Sequence, residues 1–176
     1  MIKLVNGRGQ LGERLKDAKD LDYELDVYIY HTWKLDTKSY KEQSEELEKF
    51  KEFVKIHKDD KVIFISTKSV RDDWYVHHKQ LAEAYLINNC SDCLVIKLPT
   101  FIGNHCDMFS LEKLKSGSVK PYGIMEIISI EESVDKIYEL CNYKGKLKTI
   151  NVDGYKVSAK LLYNIYKKIG VLDEWF

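Results

Sequence analysis

The chain has 176 residues, 44% of them hydrophobic, enough for one domain with a sizeable buried core. Lysine plus arginine and aspartate plus glutamate number 28 each, so no overall field draws the protein to nucleic acid or anionic lipid. No apolar run reaches the roughly 18 residues of a membrane span, and residues 1–5 lack the pattern of a secretion signal. The expectation is a single cytoplasmic domain over residues 1–176, without membrane or nucleic-acid partners.

Apolar runs alternate with helical patterns from end to end, which predicts βαβ units and a mostly parallel sheet flanked by helices. A short strand is expected at 2–5, a turn at 7–12 and a helix from Gln10 to about Lys16. Residues 26–31, Asp-Val-Tyr-Ile-Tyr-His, form a β-branched and aromatic run that reads as a buried strand. Residues 38–57 turn helical, with Leu47, Phe50, Phe53 and Val54 at spacings of three and four or less. A strand follows at 61–66, a helix at 75–88 with Leu81, Ala84 and Tyr85 on one face, and a strand at 94–98. Later expectations are a short helix near 110–115, a strand near 126–130, a helix at 131–141, a strand at 148–152 and a helix at 157–169. Cys90, Cys93, Cys106 and Cys141 are expected to be free thiols. Cys90 and Cys93 form a CxxC, but its place at a helix-to-strand junction argues against zinc, and no metal is expected.

Two constellations carry chemistry. Gly7-Arg8-Gly9-Gln10-Leu11-Gly12 fits G-x-G-x-x-G directly after a strand and at the start of a helix. Glycines there permit close approach of a pyrophosphate, which the helix N-terminus stabilises; Arg8 is placed to add a charged hydrogen bond. The alternatives are a plain strand-helix turn and a mononucleotide site needing nothing beyond the turn. Tyr75 and Lys79 form Y-x-x-x-K, so they share one face of a helix, where an ammonium lowers the pKa of a phenol. Ser66 or Thr67, ending the preceding strand, is placed to orient a substrate oxygen. His31 and Thr32 after one strand and Pro99 after another fall at the expected cofactor edge. His77 and His78 point about 100° apart on a helix and do not act as one unit.

These segments resemble consecutive blocks of the extended short-chain dehydrogenase family, the NAD-dependent sugar-nucleotide epimerases, dehydratases and dTDP-4-dehydrorhamnose reductases. Gly9-Gln10-Leu11-Gly12-Glu13-Arg14-Leu15 resembles the opening of the latter. Ser66-Thr67, Tyr75 to Lys79 with Glu83, and Lys97-Leu98-Pro99 through Gly103 are similar to the family's S-T, Y-x-x-S-K-x-x-x-E and R-x-P-x-x-x-G. His78 stands where the pattern has Ser, and Lys97 where it has Arg. Residues 127–137 and 151–154 resemble its later V-x-D-V-A and N-x-G blocks.

The resemblance implies a Rossmann-like fold that binds NAD or NADP and a nucleotide-sugar substrate. It further implies a reduced substrate lobe formed by about 104–130 and 148–176, in which Lys113, Lys115 and Lys120 are candidates for a diphosphate. The strand at Asp26 comes too soon after the turn to be the family's second strand and resembles its fourth. The second and third strands are therefore expected to be missing, and with them most of the adenosine pocket. The alternative keeps an ordinary second strand with Asp36 as the ribose acid. Loss of two strands would leave the first strand at an edge, covered by residues 16–25 or by another subunit. A homodimer through helices 38–57 and 75–88 is expected, given Leu47, Phe50, Leu81 and Leu86. A keto-sugar reductase or epimerase is one functional expectation, and a non-catalytic binding or partner subunit is the other.

Overall fold

The computed structural model describes residues 2–5, 9–17, 26–34, 39–102 and 123–169. The elements in chain order are β1 (Ile2–Val5), α1 (Gly9–Asp17), β2 (Val27–Tyr30), α2 (Tyr40–Ile56), β3 (Lys61–Thr67) and α3 (Trp74–Asn89). They continue with β4 (Asp92–Leu98), β5 (Thr100–Ile102), β6 (Ile124–Ser129), α4 (Ile130–Cys141), β7 (Thr149–Asn151), β8 (Tyr155–Ser158) and α5 (Ala159–Ile169). The expected helix near 110–115, Asp36, Cys106 and the candidate cover at 18–25 lie outside the described residues.

Five strands form a parallel sheet in the order β1-β2-β3-β4-β7. Alternation along these strands sends side chains to two apolar layers. Val27, Ile29, Ile63, Ile65, Leu94 and Ile96 face one layer, closed by Leu11 and Leu15 of α1 and by Val134 and Ile137 of α4. Tyr30, Val62, Phe64 and Val95 face the other, closed by Leu47, Phe50 and Val54 of α2 and by Ala82 and Leu86 of α3. The chain thus has an α/β Rossmann-like architecture in which β1 lies directly beside β2.

The hand of the connections shows what is unusual. The steps β1 to β2, β2 to β3 and β3 to β4 all move the same way across the sheet, yet α1 covers one face while α2 and α3 cover the other. The first connection is therefore opposite in hand to the next two. Parallel crossovers are nearly always of one hand, so this change of face between α1 and α2 is unusual. On its face, α1 would match the hand of the α2 and α3 connections only if the next strand lay on the other side of β1. That is the arrangement left when the two strands beyond β1 are removed. The step from β4 to β7 continues the same way across the sheet and carries α4 over the α1 face, and Tyr138 of α4 donates its hydroxyl proton to the Leu15 carbonyl of α1.

Helix starts follow local chemistry. Ser39, Asp73 and Ser129 cap α2, α3 and α4 by accepting from Glu42 N, Val76 N and Glu132 N at 3.2, 2.9 and 3.1 Å. Leu47, Phe50 and Leu86, expected at a dimer face, are buried within the protomer, whereas Leu81 is 44% exposed. Residues 157–158, expected to open the last helix, instead belong to β8, which pairs antiparallel with β6.

A second sheet, in the order β5-β6-β8, packs Ile102 and Ile127 against Leu162 of α5. It is pinned to the parallel sheet by Glu126, whose Oε1 accepts from Lys68 Nζ at 2.6 Å and from Gly154 N at 2.8 Å. A Cβ on Gly154 would stand 2.4 Å from the Ile127 carbonyl oxygen and 2.9 Å from Pro99 Cγ. Backbone and a proline ring give way poorly, so Gly154→Ala is expected to cost about 2 kcal/mol or more in urea denaturation. An unchanged midpoint would show that the two sheets part freely there.

Candidate active site

All strands of the parallel sheet end on one edge, and the sequence-selected residues with described positions fall along it. Gly9 begins α1 at φ +73°, a conformation that favours glycine, and the space where its Cβ would stand holds nothing within 4 Å. Gln10 follows in the first turn of α1. Leu11 and Gly12 are buried, Leu11 in the core beneath the turn, so they anchor the helix rather than line the edge. Gly7 and Arg8 lie outside the described residues. After β2, Thr32 donates its hydroxyl proton to the Val5 carbonyl at 3.3 Å, tying the end of β2 to the end of β1. Beside it, His31 Nε2 is buried with no hydrogen-bond partner among the described residues. Pro99 joins β4 to β5, with its ring against the site of Gly154.

The first two turns of α3 bring Tyr75 and Lys79 to this edge. The Lys79 amine is enclosed by aromatic rings, 5.1 Å from the centroid of Phe64, 5.4 Å from Tyr75 and 5.7 Å from Trp33. It donates to the Ile65 carbonyl at 2.8 Å. Burial lowers Lys79 to about 7, although the Glu83 carboxylate opposes the shift. Burial raises the Tyr75 phenol to about 12; Arg71 offsets part of this and Asp73 adds to it. Arg71 thus opposes the upward shift of the phenol, while the Lys79 amine lies over its ring. Burial also lowers His31 to about 4, helped by repulsion from Lys79.

Ser66 is buried and donates to Glu83 Oε1 at 2.5 Å, while Lys97 pairs with Glu83 Oε2 at 2.6 Å. Thr67, the last residue of β3, accepts from Ser69 N at 3.0 Å. The structure thus brings Thr67, Tyr75, Lys79 and His31 to the edge and directs the Ser66 hydroxyl to a carboxylate. His77 is exposed, whereas His78 is buried between helices. Its Nδ1 lies 2.8 Å from the Trp74 carbonyl, which only accepts, so Nδ1 carries the proton and Nε2 accepts from Ser44 Oγ at 3.1 Å. Sequence reasoning gave Trp33 no role at the edge. Its indole donates to the buried Gln43 Oε1 at 2.7 Å, which fixes one wall of the Lys79 enclosure.

A buried lysine whose native pKa is depressed binds a proton less readily than the unfolded chain does. Between pH 7 and about 10.5 the unfolded state holds more protons, so stability rises with pH, by at most about 1.4 kcal/mol per unit. Lys79→Met is expected to remove this slope, measured as the difference in denaturation midpoint between pH 7 and 9. Parallel profiles for the two proteins would show that Lys79 stays protonated in the fold.

No protein-family model and no curated protein matches the sequence. Solved structures do match the fold. WbmG of Bordetella bronchiseptica in complex with NAD superposes with a TM-score of 0.70 at 13% identity, covering 97% of this chain and 78% of that one. RMD from Pseudomonas aeruginosa complexed with NADPH gives 0.71 at 13% identity, covering 98% and 85%. The dTDP-4-dehydrorhamnose reductase of Bacillus anthracis in complex with NADP gives 0.70 at 12% identity, covering 98% and 81%. The chain has the Rossmann-like fold of these nucleotide-complexed proteins, on a sheet shortened beside β1.

Proposed function

We propose that the protein is an NAD(P)-dependent reductase or epimerase of the short-chain dehydrogenase type, acting on a keto-deoxysugar nucleotide. The observation that carries this reading is the convergence of Tyr75, Lys79, Thr67 and His31 with the N-terminus of α1 on one sheet edge. The similarity of fold to NAD-, NADP- and NADPH-complexed proteins supports it.

The residues present fit part of a dinucleotide. The room at the Gly9 Cβ position and the His31 Nε2 without a partner, both among the described residues, suit a pyrophosphate and a polar ring or ribose near the α1 terminus. Among the described residues no strand lies beyond β1 to carry a ribose-binding acid. NAD or NADP is accordingly expected to bind through its nicotinamide half. When bound, it supplies the hydride.

The chain's own residues manage the proton. A phenol near 12 is protonated at neutral pH, so Tyr75 is set to donate to a developing alkoxide rather than to abstract. The Thr67 hydroxyl orients the same oxygen. Lys79, near 7, is the positioning group that carries or releases a proton in the physiological range. These protonation states favour carbonyl reduction over the oxidative half of an epimerisation. The second sheet serves as the reduced substrate lobe, and a homodimer would use exposed Leu81 with Tyr40 and Trp74.

A specific observation favours a second reading, a non-catalytic binding subunit: the Ser66 hydroxyl is committed to Glu83. Titration with NADH and NADPH at millimolar concentration separates the two. The enzyme reading expects a rise in melting temperature, since a ligand bound only by the folded state stabilises it. It also expects Tyr75→Phe to lower turnover at least about 100-fold while that rise persists. No rise with either nucleotide removes the enzyme reading; turnover retained in Tyr75→Phe removes the phenol from its role.

A further inference from the structure

Gln43, in the first turn of α2, is a polar side chain buried completely in the layer that α2 and α3 close. An amide in such a place is costly unless both of its ends are bonded. Here Oε1 accepts from the Trp33 indole N–H at 2.7 Å, and Nε2 donates to the Lys34 carbonyl at 3.0 Å. An indole N–H only donates and a carbonyl only accepts, so these two partners fix the orientation of the amide. Gln43 therefore grips the chain beyond β2 twice, by one side chain and by the backbone of the next residue. Thr32 ties the same stretch to the end of β1 through the Val5 carbonyl.

The gripped ring is one wall of the Lys79 enclosure. Its centroid lies 5.7 Å from Lys79 Nζ, beside Phe64 at 5.1 Å and Tyr75 at 5.4 Å, and it packs on Phe50 and Phe64 with centroids 6.2 and 5.8 Å apart. Phe64 is carried by β3 and Tyr75 by α3, whose backbone ladders hold them in place. Trp33 belongs to no helix or strand, so the position of its ring depends on packing and on the bond to Gln43. Loss of that bond frees the ring to turn and lets water reach the amine, and hydration favours the ammonium. The titratable groups around Lys79 are Tyr75 and Glu83 on its own helix and His31 beyond β2. A neutral substitution at 43 changes none of them.

We propose that Gln43 is a positioning residue for the Tyr75 edge, holding the Trp33 ring against the Lys79 amine so that water stays off it. Its consequence for turnover rests on the reductase reading above; its effect on Lys79 rests on the contacts alone. With the grip in place, the amine exchanges its proton in the neutral range. Without it, Lys79 stays charged to higher pH, and the limb of the pH profile that reports Lys79 moves upward with it. Gln43 touches neither substrate nor cofactor in this role and acts through Trp33.

The full-length chain, carrying carbon-13 lysine, is titrated by NMR across the neutral and alkaline range, with the Lys79 Cε signal identified by its loss in Lys79→Met. The midpoint is expected at about 7 in the unaltered protein. Gln43→Leu, which keeps the volume and removes the amide, is expected to raise it by at least about one pH unit, a tenfold gain in proton affinity. Trp33→Phe, which keeps an aromatic ring and removes the indole N–H, is expected to shift it the same way and carries the test alone if circular dichroism shows Gln43→Leu unfolded. Val54→Ala, a cavity in the same layer further along α2, is expected to lower the denaturation midpoint and leave the Lys79 titration unmoved. An unmoved Lys79 midpoint in the folded Gln43 and Trp33 variants overturns the proposal, as does an equal shift in Val54→Ala or a midpoint near the ordinary 10.5 in the unaltered protein. The titration needs no nucleotide, so failure of the reductase reading in the NADH and NADPH experiment is a separate result.

Discussion

The position of α1 on the face opposite α2 and α3 is the constraint from which the rest of the structure follows. A helix on the face opposite its successors is not covered by them and must find apolar cover elsewhere. Here α4 supplies it: Leu11 and Leu15 share a core with Val134 and Ile137, and the Tyr138 hydroxyl binds the Leu15 carbonyl. The exposed Arg14–Glu131 pair, 3.8 Å apart, adds little by comparison. The same placement keeps the N-terminus of α1 at the carboxyl edge of the sheet. The glycine-started end of α1 thus keeps its place at that edge with no strand beyond β1 among the described residues.

At that edge the dominant effect is desolvation. Lys79, Tyr75 and His31 are all shifted toward their neutral forms, and each shift has burial as its largest cause. A lysine ringed by three aromatic faces recovers part of its lost hydration from their π-systems and from the Ile65 carbonyl. The result is an edge of low charge with donors held ready, which suits a reaction in which negative charge develops on a substrate oxygen.

Much of this was legible in the sequence because the signals are local. β-branched and aromatic runs marked β2, β3 and β4, and apolar spacing marked α2, α3 and α4 to within a few residues. The early return to a strand near Asp26 announced the shortened sheet. The strands β5 and β8, of three and four residues, escaped notice. Their existence depends on pairing with β6. The Tyr75–Lys79 pair was readable from its spacing, whereas the destination of Ser66 depended on Glu83, 17 residues away, and that of His78 on Ser44, 34 residues away. Side-chain partners at such separation leave no periodic trace.

The two departures from the family pattern become intelligible in these contacts. A serine preceding Lys79 would not span to α2, but the longer imidazole of His78 reaches Ser44 while its other nitrogen is fixed by Trp74, so the substitution joins α2 to α3. Lys97 acts differently. An arginine there would present a planar fork able to engage both oxygens of Glu83, whereas an ammonium is a point donor and engages one. With Lys97 on Oε2, Oε1 is left to the Ser66 hydroxyl, which takes it at 2.5 Å. A point charge at 97 thus leaves Ser66 held in the protein interior, with Thr67 the next hydroxyl along β3.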